Sequence, residues 1–290
     1  IMDYTAQTNA LRAAADKLLS EGTVDCVIGL TPNEAVGFPT PIVIRNPEDA
    51  GKLVWDENCF TNIAVYLLRT TGRRAIAAKA CDVRSIINLL AENQLKRDEI
   101  YIIGMQCPGM IKDGEPAPGC DQCPSSVPGI SDLTIGSDGS DTYQDEKMEP
   151  HGENVTEWME NSTDAEKKER FLKEIDKCIL CFTCRQACPA CYCTACFIDR
   201  KADPWRQIDA DRATKIAFHL TRAMHLAGRC TDCCACEKVC ASGVNLRYLY
   251  RGIIEFVSDT YGFTTGVDPD ARPVMNSFTS EDSETGFLGR

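Results

Sequence analysis

The chain contains Cys178-Ile-Leu-Cys181-Phe-Thr-Cys184-Arg-Gln-Ala-Cys188-Pro189, and it repeats the same spacing in Cys230-Thr-Asp-Cys233-Cys-Ala-Cys236-Glu-Lys-Val-Cys240. Both runs have the form C-x2-C-x2-C-x3-C. In such a run, three closely spaced thiolates bind one [4Fe-4S] cluster and the fourth binds the neighbouring cluster. The spacing therefore predicts that these eight cysteines hold a pair of clusters and that the chain carries electrons.

Two other uses of these cysteines are weaker alternatives. Zinc sites usually combine two CxxC knuckles, or one CxxC with a distant His pair, rather than CxxCxxC. Disulfides are characteristic of small secreted domains, whereas 290 residues are enough to build a core without them. Iron–sulfur ligation is the interpretation that the spacing favours.

Composition limits the remaining possibilities. The formal net charge of −12 argues against a nucleic-acid partner, and an acidic surface either keeps a protein in solution or meets a basic redox partner. We find no secretory signal pattern and no apolar run of the ~18 residues that a membrane span needs. We therefore expect a cytoplasmic protein in a reducing environment.

The first 140 residues alternate between strand-like and helical patterns. We predict helices at Leu11–Leu19, Cys59–Arg69 and Val83–Leu95, and strands at Val24–Leu30, Pro41–Ile44, Arg74–Ala80 and Ile100–Met105. Such alternation is typical of an α/β layer with a mostly parallel sheet. Residues 1–140 are therefore expected to form one α/β domain.

The second half has a different pattern. A charged linker is expected over 141–165, with one short helix at Val155–Asn161. We expect 166–262 to form a mainly α-helical cluster domain and 263–290 an extended tail. The helices of that domain are predicted at Glu166–Ile179, Arg212–Ala227 and Val244–Val257.

A third group of cysteines lies in the α/β half. Cys81 follows a predicted strand, Cys107 ends the next one, and Cys120 and Cys123 lie in the Gly/Pro-rich loop beyond. Parallel strand ends emerge at one edge of a sheet, so these four thiols can converge on a third cluster. The alternative is that Cys81 is a small core residue, as we expect for Cys26 and Cys59.

The same stretches resemble a known family. Arg74-Ala-Ile-Ala-Ala-Lys-Ala-Cys81-Asp-Val-Arg-Ser-Ile, Ile102-Ile-Gly-Met-Gln-Cys107, Cys120-Asp-Gln-Cys123 and Ile130-Ser-Asp-Leu-Thr-Ile-Gly-Ser-Asp-Gly139 are similar to the beta subunits of deazaflavin-dependent hydrogenases and formate dehydrogenases. In that family these motifs supply cysteine ligands of a [4Fe-4S] cluster beside a flavin. The resemblance implies ligation by the four cysteines and makes FAD a possible cofactor.

The family's flavin-binding members carry paired glycines near the N-terminus, where a helix start meets the cofactor phosphates. Here the region is Ala6-Gln-Thr-Asn-Ala-Leu-Arg-Ala-Ala-Ala15, without glycine, so the sequence leaves flavin binding open. The C-terminal half resembles the dicluster ferredoxin module of heterodisulfide-reductase-type proteins, on the two runs and Gly243-Val-Asn-Leu-Arg-Tyr-Leu249. One departure is that Cys240 is followed by Ala241 rather than proline.

Three further cysteines directly follow the first run, in Cys188-Pro-Ala-Cys191-Tyr-Cys193-Thr-Ala-Cys196. They either ligate a fourth cluster or another metal, with Cys234 or a partner's residue completing the set, or they are buried thiols near the clusters. His219 and His225, six apart on one helix, lie on different faces and are expected to pack or hydrogen-bond near the clusters.

These observations point to an electron-transfer subunit of a larger anaerobic oxidoreductase, with no catalytic residues of its own. Its partners would be the other subunits of a hydrogenase, formate dehydrogenase or heterodisulfide-reductase-like complex. The alternative is a flavoenzyme that acts directly on deazaflavin, NAD(P) or ferredoxin. Flavin content of the purified chain distinguishes the two.

Overall fold

The computed structural model describes residues 4–124, 126–140, 148, 153–199 and 210–274. Its first part is built on a five-stranded sheet with the order β2-β1-β3-β4-β7. The strands are β1 (Cys26–Thr31), β2 (Thr40–Ile44), β3 (Arg74–Ala78), β4 (Ile100–Met105) and β7 (Leu133–Ile135). Strands β1, β3, β4 and β7 run parallel, and β2 pairs antiparallel with β1 at the edge. The expected α/β architecture with a mostly parallel sheet is confirmed.

Helices α1 (Tyr4–Ser20) and α2 (Ala80–Ala91) accompany this sheet, together with short 3-10 segments and a small hairpin. The hairpin consists of β5 (Ile111–Lys112) and β6 (Glu115–Pro116). Every residue of β3 is buried, as expected for a central strand covered on both faces. The apolar core therefore lies around β1, β3 and β4, and it holds their carboxyl ends rigidly in place.

One predicted helix differs from the structure. Within Cys59–Arg69 only Ala64–Arg69 is helical, and it is a 3-10 helix. Side chains satisfy the backbone ahead of it: the Ile63 N–H donates to Asp82 Oδ1 at 2.8 Å, and the Ala64 N–H donates to Asn62 Oδ1 at 3.0 Å. These local bonds replace the first turn of an α-helix, since Asn and Asp compete for backbone groups.

The second part of the described chain is helical. It contains α3 (Val155–Asn161), α4 (Asp164–Asp176), α5 (Thr183–Gln186), α6 (Arg212–His225), α7 (Ala235–Lys238) and α8 (Arg247–Tyr261). The four predicted helices of this half are present at α3, α4, α6 and α8, with ends shifted by a few residues except at α3. The assignment of this part as a ferredoxin-like module remains a prediction, and so do the domain boundaries. Most of the expected linker and the tail beyond 274 lie outside the described residues.

Hydrogen bonds between distant residues join the α/β part to the helical part. Arg229 Nε donates to the buried carboxylate of Glu92 at 2.7 Å, and Arg84 donates to the Thr265 carbonyl at 3.0 Å. Lys112 Nζ donates to the Lys238 carbonyl at 2.8 Å. The start of the expected tail thus packs against α2. No helix in the described part of the chain is long and apolar enough to cross a membrane.

Candidate metal centres

The two cysteine runs fold into loops with the same backbone conformation. In the first loop Leu180 and Phe182 have positive φ angles of 54° and 59°, and in the second Asp232 and Cys234 have 53° and 55°. These residues occupy equivalent positions, two and four residues after the first cysteine of each run. Left-handed backbone is uncommon outside glycine and has an energetic cost, so its repetition indicates a shared structural requirement. Each loop then enters a one-turn helix, α5 or α7.

The eight cysteines of the runs line two small cavities, and each cavity takes cysteines from both runs. The middle cavity is lined by the four predicted ligands Cys188, Cys230, Cys233 and Cys236, and also by Cys234. The outer cavity is lined by Cys178, Cys181, Cys184 and Cys240. Their voids are about 490 and 360 Å³, including space open to solvent. In each set, three cysteines belong to one run and the fourth comes from the other, as the paired-cluster spacing requires.

Hydrogen-bond donors surround the sulfur atoms of the outer cavity. The Leu180 N–H lies 3.3 Å from Cys178 Sγ, and the Val244 N–H lies 3.3 Å from Cys240 Sγ. Thr183 Oγ1 lies 3.4 Å from Cys181 Sγ, and His219 Nε2 lies 3.3 Å from Cys178 Sγ. Such donors stabilise thiolate ligands and influence cluster potential. The prediction that His219 bonds near the candidate clusters is confirmed.

A third cavity lies where the two parts of the chain meet, and we call it the large cavity. Cys81, Cys107, Cys120 and Cys123 line it, and its void of about 1930 Å³ is roughly four times that of the middle cavity. Cys81 lies in the first turn of α2 just after β3, and Cys107 follows β4. Because β3 and β4 are parallel neighbours, their carboxyl ends bring both residues to one edge of the sheet.

The wall opposite these four cysteines comes from the helical part. It includes Cys230 and Cys233 of the middle cavity, residues of α8, and the segment 263–265. Gly119, with φ +74°, precedes Cys120, and a Cβ there would lie 2.5 Å from Cys234 Sγ. Glycine therefore allows the ligand loop of the α/β part to approach the second cysteine run closely.

Burial makes these thiols hard to ionise. It raises the pKa of Cys107 to about 12 and raises the pKa of Cys81 well above its usual value. Metal ligation requires thiolates, so nearby positive charge lowers the cost of binding. Two buried lysines supply it: Lys79, ion-paired with Asp82 at 2.9 Å, and Lys238.

A third buried cation lines the middle cavity. Arg222 on α6 is 3% exposed and donates to the Cys184 carbonyl at 3.2 Å. Neither Lys79 nor Arg222 was predicted from the sequence as a functional residue. Lys79 could have been found as a charged residue between a buried strand and Cys81. Arg222 is three residues from His219 on the helix that joins the runs, so the two share a face.

The remaining cysteines occupy separate surroundings. Cys191 packs near the middle cavity, and a hydrogen bond with Cys188 lowers its pKa to about 7. Cys193 is exposed, and Cys196 packs against the apolar cluster of Leu180, Ile198 and Phe218. Cys234 is buried close to Gly119 and lines the middle cavity. The structure therefore does not draw Cys191, Cys193 and Cys196 into one cavity with Cys234, and a fourth cluster there remains an untested prediction. Cys26 and Cys59 are buried in the core, as expected.

No cysteine in the described part of the chain forms a disulfide. Within the described ranges, no group of three or more Cys, His, Asp or Glu side chains has an arrangement suited to a single metal ion. The twelve predicted ligands line three cavities, with Cys234 also lining the middle cavity and Cys230 and Cys233 also lining the large one. The donor set and the surrounding N–H groups fit [4Fe-4S] clusters.

No protein-family model matches the chain. It is similar to the "F420-dependent formate dehydrogenase subunit beta" of Methanocaldococcus jannaschii, with 24% identity over 92% of this chain and 94% of the relative. It is also similar to the "F420-dependent formate dehydrogenase 1 subunit beta" of Methanococcus maripaludis, with 23% identity over 92% of each. The similarity spans both parts of the chain. The alignments cover 359 and 361 positions, more than the 290 residues here, so these relatives carry segments that this chain lacks.

Proposed function

We propose that this chain is an iron–sulfur electron-transfer subunit of a formate-dehydrogenase-type complex. The observation that carries the proposal is the sorting of eight cysteines into two cavities with an exchanged fourth member. This is the ligand pattern of paired [4Fe-4S] clusters, and it supports a dicluster ferredoxin module. The relatives are named as beta subunits of formate dehydrogenases, so the partners we propose are the other subunits of such an enzyme.

We propose three sites. Cys81, Cys107, Cys120 and Cys123 would hold a cluster in the large cavity, and the middle and outer sets would hold the pair. Cys230 and Cys233 line both the large and the middle cavities, whereas the outer cavity shares no lining residue with the large one. When bound, such clusters accept and release single electrons. The order that follows is large, middle, outer.

The chain's own residues prepare each site for this role. Backbone N–H groups and His219 are aimed at the outer sulfurs, and buried cations offset the negative charge of the thiolates. Cys181 is exposed, so the outer site is accessible to a partner at the surface. The second part of the chain supplies the opposite wall of the large cavity, including residues of α8 and the segment 263–265.

A second candidate function is a flavoenzyme that acts directly on deazaflavin, NAD(P) or ferredoxin. Two observations favour it. The large cavity has far more room than either of the other cysteine-lined cavities. In addition, Arg84, which lines it, has a buried Nε atom without a hydrogen-bond partner among the described residues. Both features suit a cofactor or substrate beside the cysteine site.

The test is anaerobic quantitation of iron, acid-labile sulfide and flavin per chain. We expect about twelve irons and twelve sulfides, at four per cluster, and no stoichiometric flavin. A content of about eight irons per chain would contradict a cluster in the large cavity, and a content of about sixteen would indicate a fourth cluster. Stoichiometric FAD, with deazaflavin reduction by the chain alone, would favour the flavoenzyme. Colourless protein without labile sulfide would overturn both.

A further inference from the structure

Lys238 lies between two groups of predicted cluster ligands. It ends α7, inside the second cysteine run, yet its side chain lines the large cavity together with the four cysteines of the α/β part. The residue is only 4% exposed. Lys112 holds the backbone at this point by donating to the Lys238 carbonyl. Lys238 therefore lines the large cavity as a buried residue of the second cysteine run.

Lys238 has no carboxylate partner: the described residues include no ion pair between its ammonium group and an Asp or Glu. Lys79, the other buried lysine of the cavity, differs because it contacts Asp82 at 2.9 Å and donates to the Thr61 carbonyl. A buried ammonium is costly unless negative charge lies close to it.

We propose that Lys238 is a redox-tuning residue that stabilises the reduced form of the cluster held by Cys81, Cys107, Cys120 and Cys123. The inference rests on the proposed function, because it assumes that this site holds a cluster. An added electron makes the cluster more negative, and a fixed cation in a low-dielectric cavity attracts that charge strongly. Lys79 is paired with Asp82, whereas Lys238 has no carboxylate partner among the described residues, so removing Lys238 removes a positive charge that no ion pair offsets. Local charge is one of the means by which proteins set cluster potentials.

Replacing the ammonium with an uncharged side chain of similar length should therefore lower the reduction potential of this one site. For Lys238→Met we expect the equilibrium constant for its reduction to fall at least tenfold, which is about 59 mV for a one-electron couple. Lys238→Arg keeps the charge and should stay within threefold of the wild type. Lys52→Met removes an exposed lysine that is ion-paired with Asp49 and controls for net charge.

The experiment is an anaerobic redox titration of the full chain followed by electron paramagnetic resonance. The large-cavity signal is identified as the one that Cys107→Ser lacks. A fall in potential for Lys238→Met, but not for Lys238→Arg or Lys52→Met, is the expected result. Equal potentials in Lys238→Met and the wild type, at full iron content, would overturn the proposal. So would equal shifts in Lys238→Met and Lys238→Arg.

Two further outcomes are distinguishable. If Lys238→Met loses iron, Lys238→Gln, which keeps a hydrogen-bond donor in the cavity, is judged by the same tenfold criterion. Loss of the same four irons in both variants would assign Lys238 a purely structural role and would also overturn the proposal. A wild-type chain without the large-cavity signal would instead contradict the proposed function itself.

Discussion

The small cavities of the helical part and the large cavity at its boundary each gather four cysteines, but their walls are built differently. The small cavities take all their cysteines from two loops of one backbone conformation. The large cavity takes its cysteines from strand ends and a loop of the α/β part, and its opposite wall from α8 and 263–265. The two small sites therefore depend on one part of the chain, whereas the large site depends on how the two parts pack together.

The largest effect should come from Cys188, which belongs to the first run but lines the middle cavity. We expect Cys188→Ser to lose about four of twelve irons, and the lost cluster should be the one coordinated by the second run. Iron analysis and electron paramagnetic resonance measure this. Cys191→Ser, three residues further along, is the matched control and should keep its iron. Retention of all iron in Cys188→Ser would break the exchanged assignment.

Cys107→Ser tests the other side of the comparison. It should remove about four irons from the large cavity and leave the paired clusters intact, because no cysteine of the small cavities comes from the α/β part. Cys26→Ala, which alters a buried cysteine of β1, should keep about twelve. A Cys107→Ser protein with no clusters at all would show that the sites do not assemble independently.

The contact between the two parts can be weakened without touching a predicted ligand. Arg229→Gln leaves the fully buried Glu92 carboxylate without its cation, and breaking such a pair costs about 3 kcal/mol. We expect the midpoint of thermal unfolding at pH 7 to fall by roughly 6 to 12 °C. Glu92→Gln removes the buried charge together with the ion pair and should cost far less. Equal losses in both variants would contradict this account.

The pH dependence of this pair follows from the direction of the pKa shift. Burial raises the pKa of Glu92 even though the hydrogen bond and charge of Arg229 lower it. The folded state therefore binds this proton more readily than the unfolded chain, so the contribution of Glu92 to stability falls as the pH rises above about 4.5. Glu92→Gln should flatten that dependence. In Arg229→Gln, acidification should recover part of the loss.

Cys193→Ser should have the smallest effect. Its side chain is exposed, and it lies outside all three cysteine-lined cavities. We expect unchanged iron content and unchanged cluster spectra. A loss of iron in this variant, together with about sixteen irons in the wild type, would establish the fourth cluster predicted at Cys191, Cys193 and Cys196.

The sequence predicted features that depend on local spacing and periodicity. Strand β4 and helix α3 have the predicted bounds, and Cys188 and Cys240 each line a cavity with cysteines of the other run, as the spacing leads one to expect. The short strand β7 and the hairpin of β5 and β6 were not predicted, because three-residue and two-residue strands leave too little pattern to recognise.

Contacts between distant segments could not be predicted from the sequence, for a different reason. The segment 263–265 and Lys238 line the large cavity together with Cys81, although both are more than 100 positions from Cys81 in the sequence. Periodicity describes which face of an element is apolar, but it does not specify which remote segment covers that face. The buried cations Lys79 and Arg222 gave too weak a signal for the same reason.

The exchange of the fourth cysteine between the runs has a consequence for how the protein matures. In the proposed assignment neither loop contains a complete ligand set, because Cys188 lines the cavity of the second run and Cys240 lines the cavity of the first. Inserting one cluster fixes part of both loops and so prepares the second site, which makes filling of the pair cooperative. When iron is limiting, chains with only one of the two small cavities filled should therefore be rarer than independent filling of the two sites would give.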